Sequence, residues 1–491
     1  MPVNVSRKNI LFEPDSSRVI ARLLYTNKER SIDLIKQIMA LSPKRQQEAL
    51  TEVLRDYSKR HRSISKIFEK HFNKVAGLLG PENIDTDLFT TSQKVLIGAY
   101  CTMEYSIEAA AFFNPSMVED PDQSGLSQNQ KRVIISFRAT GEGHISSIVF
   151  RSGIIDSDNT IIVEQPGKML DAPDHVKSYL YHKKSFREKL EEMQDCSSRA
   201  FSIMMEKLGE TFTYEELKQY IEETKQQVHD TGSLVLLNEM TWLAKSHYEM
   251  DFSVDTSISE RVIFPIAETE QKGIEDARFV KFTDDDGEVT YYATYTAYDG
   301  ITILPKLLET KDFYHFKVLP IHGEVAQNKG MALFPRKING KYVMLCRIDG
   351  VNNYISFSDN INVWRKADIL QTPKFPWEFV QMGNCGSPIE TPEGWLVITH
   401  GVGPVREYVL SVSLLDLENP EIEIGRLETP LIAPNEKERE GYVPNVVYSC
   451  GSLIHMGNLY IPYAMSDYAS TYATVNMEEL IKALKRTKVT A

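Results

Sequence analysis

Cysteine is scarce in this chain: five residues in 491 (Cys101, Cys196, Cys346, Cys385, Cys450), scattered and without a Cys-x-x-Cys pair. An odd, dispersed set excludes a disulfide framework and fits a reducing compartment. No His, Asp or Glu cluster has the spacing of metal ligands, so no metal and no organic cofactor is expected. Long apolar runs are missing too. Nothing approaches the roughly 18 residues a membrane helix needs, and the opening Met-Pro-Val-Asn-Val-Ser-Arg lacks the apolar core of a signal peptide. Positive charge is also short, since the net charge is −13. That balance excludes the dominant basic face of a nucleic-acid binder. A soluble, cytoplasmic protein with no membrane or nucleic-acid partner is expected.

What is present is core-forming material, at 42% hydrophobic. From about 31 to 79 the apolar positions recur at helical steps. Leu34, Ile35, Ile38 and Met39 form one set, Leu50, Val53, Leu54 and Tyr57 a second after Pro43, and Ile64, Ile67, Phe68, Phe72 and Val75 a third. The same period predicts a helix over 95–113, ended by Asn114-Pro115. The period then changes. Residues 133–141 read as a strand with 144–155 as its partner. A second helical block follows, with pieces at 185–194, 197–208, 214–231 and 234–247.

Beyond residue 252 the chain is mostly short strands and turns. Five segments share one design, a polar turn, an apolar or aromatic strand and a polar residue beside a second turn: 130–141, 287–300, 339–350, 393–401 and 457–467. The last four recur at about 50 to 65 residues, near propeller spacing with generous loops. The predicted fold is mainly β, a five-bladed β-propeller with an N-terminal helical region (1–104), a first blade (105–160), a helical insertion (161–251) and the remaining blades with a C-terminal helix (252–491). The rival is a β-sandwich, which does not require evenly spaced strands ending in polar groups.

Each repeated strand delivers a distinctive group near its end: Arg138, Asp299, Arg347, His400 and Asp467. Asp276 and Arg278 precede the second strand, and Glu390 sits before the fourth. Singly, such residues are usually ion pairs or satisfied loop residues. A propeller aims equivalent strand ends at its axis, so together they predict one pocket, flanked by Tyr298, Tyr463 and Trp395. Carboxylates beside aromatic rings suit a sugar, and a cluster of Arg, Lys and His suits a phosphate.

These residues carry a family resemblance. Gly273-Ile274-Glu275-Asp276-Ala277-Arg278 with the run from Tyr295 to Gly300 resembles the signature of the mannoside phosphorylases, glycoside hydrolase family 130. Lys329-Gly330-Met331-Ala332-Leu333-Phe334-Pro335, Ser387-Pro388-Ile389, Gly394-Trp395-Leu396 and Tyr463-Ala464-Met465-Ser466-Asp467 continue the match. It covers roughly 105–155 and 255–480 and omits the helical segments.

The resemblance implies a five-bladed propeller and inverting cleavage of β-mannosides. Asp276 matches the general acid, whose proton travels in phosphorylases through a hydroxyl of the bound mannose. Asp467 matches an acid that holds the mannosyl unit, and Asp299, Tyr298, Arg278 and Asn114 are expected to contact substrate. Arg138 and Arg347 match phosphate-facing positions, with Lys329 and His400 beside them.

Three departures matter. The first-blade stretch Arg138-Ala139-Thr140-Gly141-Glu142-Gly143-His144 is less typical of the family and assigns no role to Glu142 or His144. Ala277 replaces the usual proline. Glu390 stands where phosphorylases carry lysine, and hydrolytic members use glutamate to activate water. Three readings follow: a phosphorylase using inorganic phosphate and releasing α-mannose 1-phosphate, an inverting β-mannosidase with Glu390 as base, and a non-catalytic carbohydrate-binding protein. The helical segments are candidates for a homo-oligomer interface or for a wall on the acceptor side.

Overall fold

Five antiparallel sheets of four or five strands follow one another along the chain in the computed structural model, which describes residues 3–81, 83–173, 180–193 and 196–486. The protein is mainly β. Each of the five repeated segments supplies one strand to a different sheet: Lys131–Thr140, Val289–Tyr298, Tyr342–Cys346, Gly394–Val402 and Asn458–Met465.

Each sheet packs on the next. Ala111–Glu119, at one edge of the first sheet, lies against both Gly273–Thr283 of the second and Asn458–Met465 of the fifth. Val289–Tyr298 meets Ala332–Leu333, Tyr342–Cys346 meets Gln381–Asn384, and Tyr408–Leu415 meets Val447–Tyr448. The circuit closes on itself. Its closure uses the start of the chain, because Val5–Arg7 pairs with Ala469–Asn476 of the fifth sheet. A second tie is mutual, with the Phe12 and Ser470 amides each donating to the other's carbonyl.

A C-terminal helix, Met477–Arg486, packs on the fourth and fifth sheets. The other helices occupy two blocks, each with its own apolar core. The first contains Lys28–Met39, Pro43–Tyr57, Ile64–Leu79 and Thr91–Tyr100. Asn27, Ser42 and Thr90 cap three of their N-termini, and Pro43 stands where a missing amide costs nothing. Phe68, Phe72, Val75 and Leu96 are buried between them. The second block holds Lys183–Met193, Arg199–Lys207, Tyr214–Lys225 and Thr231–Lys245 around Leu190, Met204, Leu217 and Leu237. Residue 194 lies outside the described residues. Strands flank this block: Ile161–Val163 joins the first sheet, and Tyr248–Asp251 pairs with His315–Pro320 in the second.

The helix expected over 95–113 is corrected. It stops at Tyr100, Thr102–Ser106 pairs with Val19–Leu23, and Ala111–Glu119 is a strand. That strand is buried on both faces from Ala111 to Val118. A strand without an exposed face has no alternation to read, and its apolar run looks like a buried helix. Asn114-Pro115 is a bulge in this strand rather than a helix end, because the register shifts between Phe113 and Ser116.

Candidate active site

The same bulge occurs twice, and the two copies face each other. In Gly273–Thr283 the register shifts between Glu275 and Arg278, as it does around Asn114 in the first sheet. Asn114 has φ +50° and Asp276 has φ +55°, the left-handed region that Asn and Asp tolerate better than bulkier residues. Each bulge turns a side chain out of the ladder toward the other. The Asn114 Nδ2 amide donates to Asp276 Oδ1 at 2.7 Å.

Cations surround this carboxylate. Arg138 reaches Asp276 Oδ1 at 3.5 Å and Glu275 Oε1 at 2.8 Å. Lys329 pairs with the other oxygen of Glu275. Arg278 donates to the Asp276 carbonyl at 3.1 Å and to the Tyr448 hydroxyl at 2.8 Å. Burial pushes the Asp276 carboxyl upward, but Arg138, Arg278, the Asn114 amide and Lys329 outweigh it and hold the group below its ordinary value. Asp467 behaves oppositely. Burial first, and then the negative charge of Asp276, push it up to about 6 against the pull of Arg138 and Arg406.

Across the cavity lie Arg347 and His400. Arg347 makes no hydrogen bond or ion pair with any described residue, and its Nε is buried without a partner. His400 has its Nδ1 3.6 Å from Cys385 Sγ and its Nε2 buried and unpartnered. Burial, followed by the nearby charges of Arg347 and Arg278, pushes His400 down to about 3, so the ring is neutral at ordinary pH. Gly383 lets the two approach. A Cβ there would lie 2.8 Å from His400 Cε1 and 3.7 Å from Arg347 Cδ.

One cavity of about 220 Å³ gathers Asn114, Arg138, Asp276, Arg278, Lys329, Arg347, His400 and Asp467. All five sheets contribute to it, the third through Lys329, Gly330 and Arg347, which flank its strands. Three expected residues lie elsewhere. Asp299 spends its carboxylate on the Ile301 and Thr302 amides of its own turn, and the Tyr298 hydroxyl donates to the Gly300 carbonyl. The second sheet serves the cavity through its bulged strand instead.

Glu390 is the third. Arg336 holds it at 2.8 and 2.9 Å, and it lines a different, larger hollow of about 1180 Å³ with Glu119, Lys131 and Lys281. Those residues lie on the strands that carry Asn114, Arg138 and Asp276, but at their opposite ends. Trp395 and Tyr463, expected as flanking aromatics, are fully buried. Their polar atoms bond Leu417 and Glu438.

Several lining residues were not anticipated: Gln381, Gly383, Asn384, Tyr408, Tyr448 and Arg406. Asn384 ties the fourth sheet to the third by donating to the Gly330 carbonyl at 2.7 Å.

Comparison with known proteins places the chain among enzymes that act on β-mannosides. The chain belongs to glycoside hydrolase family 130, the mannoside phosphorylases. The family model described as beta-1,4-mannooligosaccharide phosphorylase matches residues 250–486. A 1,2-beta-oligomannan phosphorylase of Thermoanaerobacter sp. (strain X514) is 36% identical over 222 residues, covering 43% of this chain and 72% of that protein. The beta-1,2-mannobiose phosphorylase of Listeria innocua is 29% identical over 252 residues, covering 50% and 68%. A beta-1,2-mannobiose phosphorylase of the same Thermoanaerobacter strain is 32% identical over 222 residues, covering 42% and 68%.

Proposed function

We propose that the chain is an inverting phosphorylase that cleaves the terminal mannosyl unit of a β-mannooligosaccharide and releases α-mannose 1-phosphate. The circuit of five sheets is read as a five-bladed propeller, with the cavity at its axis. The observation that carries the reading is the pairing, in one cavity, of Asp276 with an Arg347 guanidinium that no described residue neutralises. A half-buried cation without a partner suits an anion.

In this reading phosphate docks between Arg347 and Arg138, beside His400 and Lys329. A phosphate oxygen attacks the mannosyl C1 from the α face as the β-glycosidic C1–O bond breaks. The proton for the leaving oxygen comes from Asp276, relayed through a mannosyl hydroxyl. Before phosphate arrives, Arg138 and Arg278 keep Asp276 ionised. A docked dianion offsets their charge, so the carboxyl takes up a proton when the co-substrate is in place. Asp467 accepts hydrogen bonds from the mannosyl hydroxyls. Hydrolysis through Glu390 has no support, because that carboxylate is tied to Arg336 in the other hollow.

The test is incubation with β-1,2- and β-1,4-mannobiose, with and without phosphate. Sugar phosphate should form only when phosphate is supplied, and Asp276→Asn should lower the rate by about 10²-fold or more. Free mannose released at the same rate without phosphate would overturn the reading. Binding of both disaccharides without turnover would make the protein a lectin.

A further inference from the structure

Two hairpin loops beside the cavity have one backbone conformation. In the first sheet, Gly141–Ile145 joins Lys131–Thr140 to Ser146–Ile155, and in the fourth, Gly403–Glu407 joins Gly394–Val402 to Tyr408–Leu415. The first residue's amide donates to the fifth residue's carbonyl in both, at 3.1 and 3.0 Å. The third residue has φ +68° in one and +59° in the other, and the fourth has +60° and +57°. Glycine, which adopts that conformation freely, fills the third position of the first loop as Gly143. In the second loop it is Val405, a β-branched residue for which positive φ is a true outlier. Packing does not hold it there, because Val405 is 87% exposed.

The strained loop delivers one side chain. Arg406, its fourth residue, lines the cavity at its open end and forms no hydrogen bond or ion pair with any described residue. Its nearest ring is Tyr408, with the guanidinium carbon 6.0 Å from the centroid. The loop is pinned beneath it, by Arg439 on Glu407 at 3.2 Å and by the Tyr408 amide on the Asn445 carbonyl at 2.9 Å. An outlier conformation maintained by surrounding structure marks a site where the geometry is used.

Charge identifies the use. Arg138, Arg278, Lys329, Arg347 and Arg406 bring five positive charges to the cavity, against Glu275, Asp276 and Asp467. With Asp276 protonated for catalysis, the cations exceed the carboxylates by more than a phosphate carrying about −1.5 to −2 neutralises. Arg406 is the exposed residue of this lining, at the rim of the same hairpin that carries His400, with the Tyr408 ring between them. A cavity of about 220 Å³ has room for little more than one sugar unit and a phosphate, so the leaving sugar must extend past that rim.

We propose that Arg406 receives an anionic substituent on the leaving sugar, so that the preferred substrate is a β-mannoside whose reducing-side unit bears a phosphate or a carboxylate. This rests on the β-mannoside phosphorylase reading above and adds a substrate class to it. An exposed guanidinium held in place forms a bidentate, charge-assisted pair with either group.

The reaction run in the synthetic direction tests it, with α-mannose 1-phosphate as donor and mannose, mannose 6-phosphate or glucuronate as acceptor. Phosphate release is measured for wild type, Arg406→Gln and Arg406→Lys, and binding of the same acceptors by calorimetry. Wild type should use an anionic acceptor about tenfold or more better than mannose. Arg406→Gln should bring the ratio of the rate on mannose 6-phosphate to that on mannose down to about one, whatever its effect on the mannose rate itself, and Arg406→Lys should keep part of the preference. Preference for mannose 6-phosphate alone assigns the site to phosphate esters, and preference for both assigns it to charge.

Equal use of mannose and mannose 6-phosphate by wild type overturns the proposal. So does an equal loss on both in Arg406→Gln, which would make Arg406 a partner of Asp467 only. If wild type turns over no acceptor, the phosphorylase reading fails, and calorimetry then decides alone: mannose 6-phosphate must bind wild type more tightly than mannose does, and Arg406→Gln equally.

Discussion

Asp467 and Asp276 are two carboxylates in one cavity whose surroundings move them in opposite directions. Asp467 is displaced to about 6 by burial and by the charge of Asp276, so it is protonated in acid and ionised at neutral pH. As an acceptor for sugar hydroxyls it must be ionised. The kcat/KM profile, which reports groups of the free enzyme, should therefore fall on the acid side of about pH 6 in wild type. Asp467→Asn should be slower and should lack that limb.

The stability consequence has the opposite sign to an ordinary ion-paired aspartate. With a folded pKa above the unfolded value of about 3.9, the folded state holds the proton more tightly, so stability falls as pH rises from about 4 to 6. Asp467→Asn should raise Tm relative to wild type at pH 7 and do so less at pH 4. Gly383 makes a second prediction at this scale. A methyl group there would press on His400 and only touch Arg347, so Gly383→Ala should raise KM for phosphate by about tenfold, equivalent to ~1.4 kcal/mol, with a smaller change in kcat.

Among the elements, the second sheet has the most exacting interior. Lys306 and Glu270 form a fully buried ion pair at 2.7 Å, with the hydroxyls of Tyr248 and Tyr295 donating to the same carboxylate. Lys306→Met would strand a buried negative charge, and removing one partner of such a pair costs about 3–5 kcal/mol. Thermal unfolding should show a large drop in Tm for Lys306→Met. The double change Lys306→Met with Glu270→Leu should recover much of it.

Elements also decide what the sequence revealed. Strands bracketed by turns, such as Val289–Tyr298 and Asn458–Met465, were legible as repeats of one design, and Arg138, Arg347, His400 and Asp467 were read from the polar ends of such repeats. Two of the strands facing the cavity, in the fourth and fifth sheets, are short and carry polar lining residues in place of a hydrophobic pattern. Gln381–Asn384 reads Gln-Met-Gly-Asn, and Val447–Tyr448 has two residues. Gln381, Gly383, Asn384 and Tyr448 were illegible for that reason. Asp299 lies outside the cavity because the second sheet reaches it through the bulge at Asp276, on the neighbouring strand. Glu390 was drawn in by its motif position, while its strand pairs it opposite Trp395, at the far end of the ladder. Arg406 left no pattern, since a left-handed valine has no sequence signature.

For the whole molecule, the circuit of sheets places the two hollows at opposite ends of shared strands, so a change at one end need not disturb the other. Arg336→Ala, which frees Glu390 from its partner, should leave phosphorolysis within about twofold of wild type, because that ion pair is exposed and such pairs contribute about 0–1 kcal/mol. Removal of residues 1–12 should act differently. It takes away Val5–Arg7 and Phe12 from the fifth sheet, the sheet whose strand end carries Asp467. A lower Tm together with loss of turnover is expected, against wild-type Tm and rate as the reference.

That opening strand has one more implication, for synthesis. Its partner, Ala469–Asn476, is synthesised about 470 residues later, since Val5 pairs with Val475. At about 5–20 residues per second, translation of the chain occupies roughly 25–100 s, and throughout that interval the N-terminal strand has nowhere to dock. A gene rearranged to encode residues 3–12 after the C-terminal helix would place the two partners side by side in time, and the nascent protein would spend less of its life with an unpaired edge.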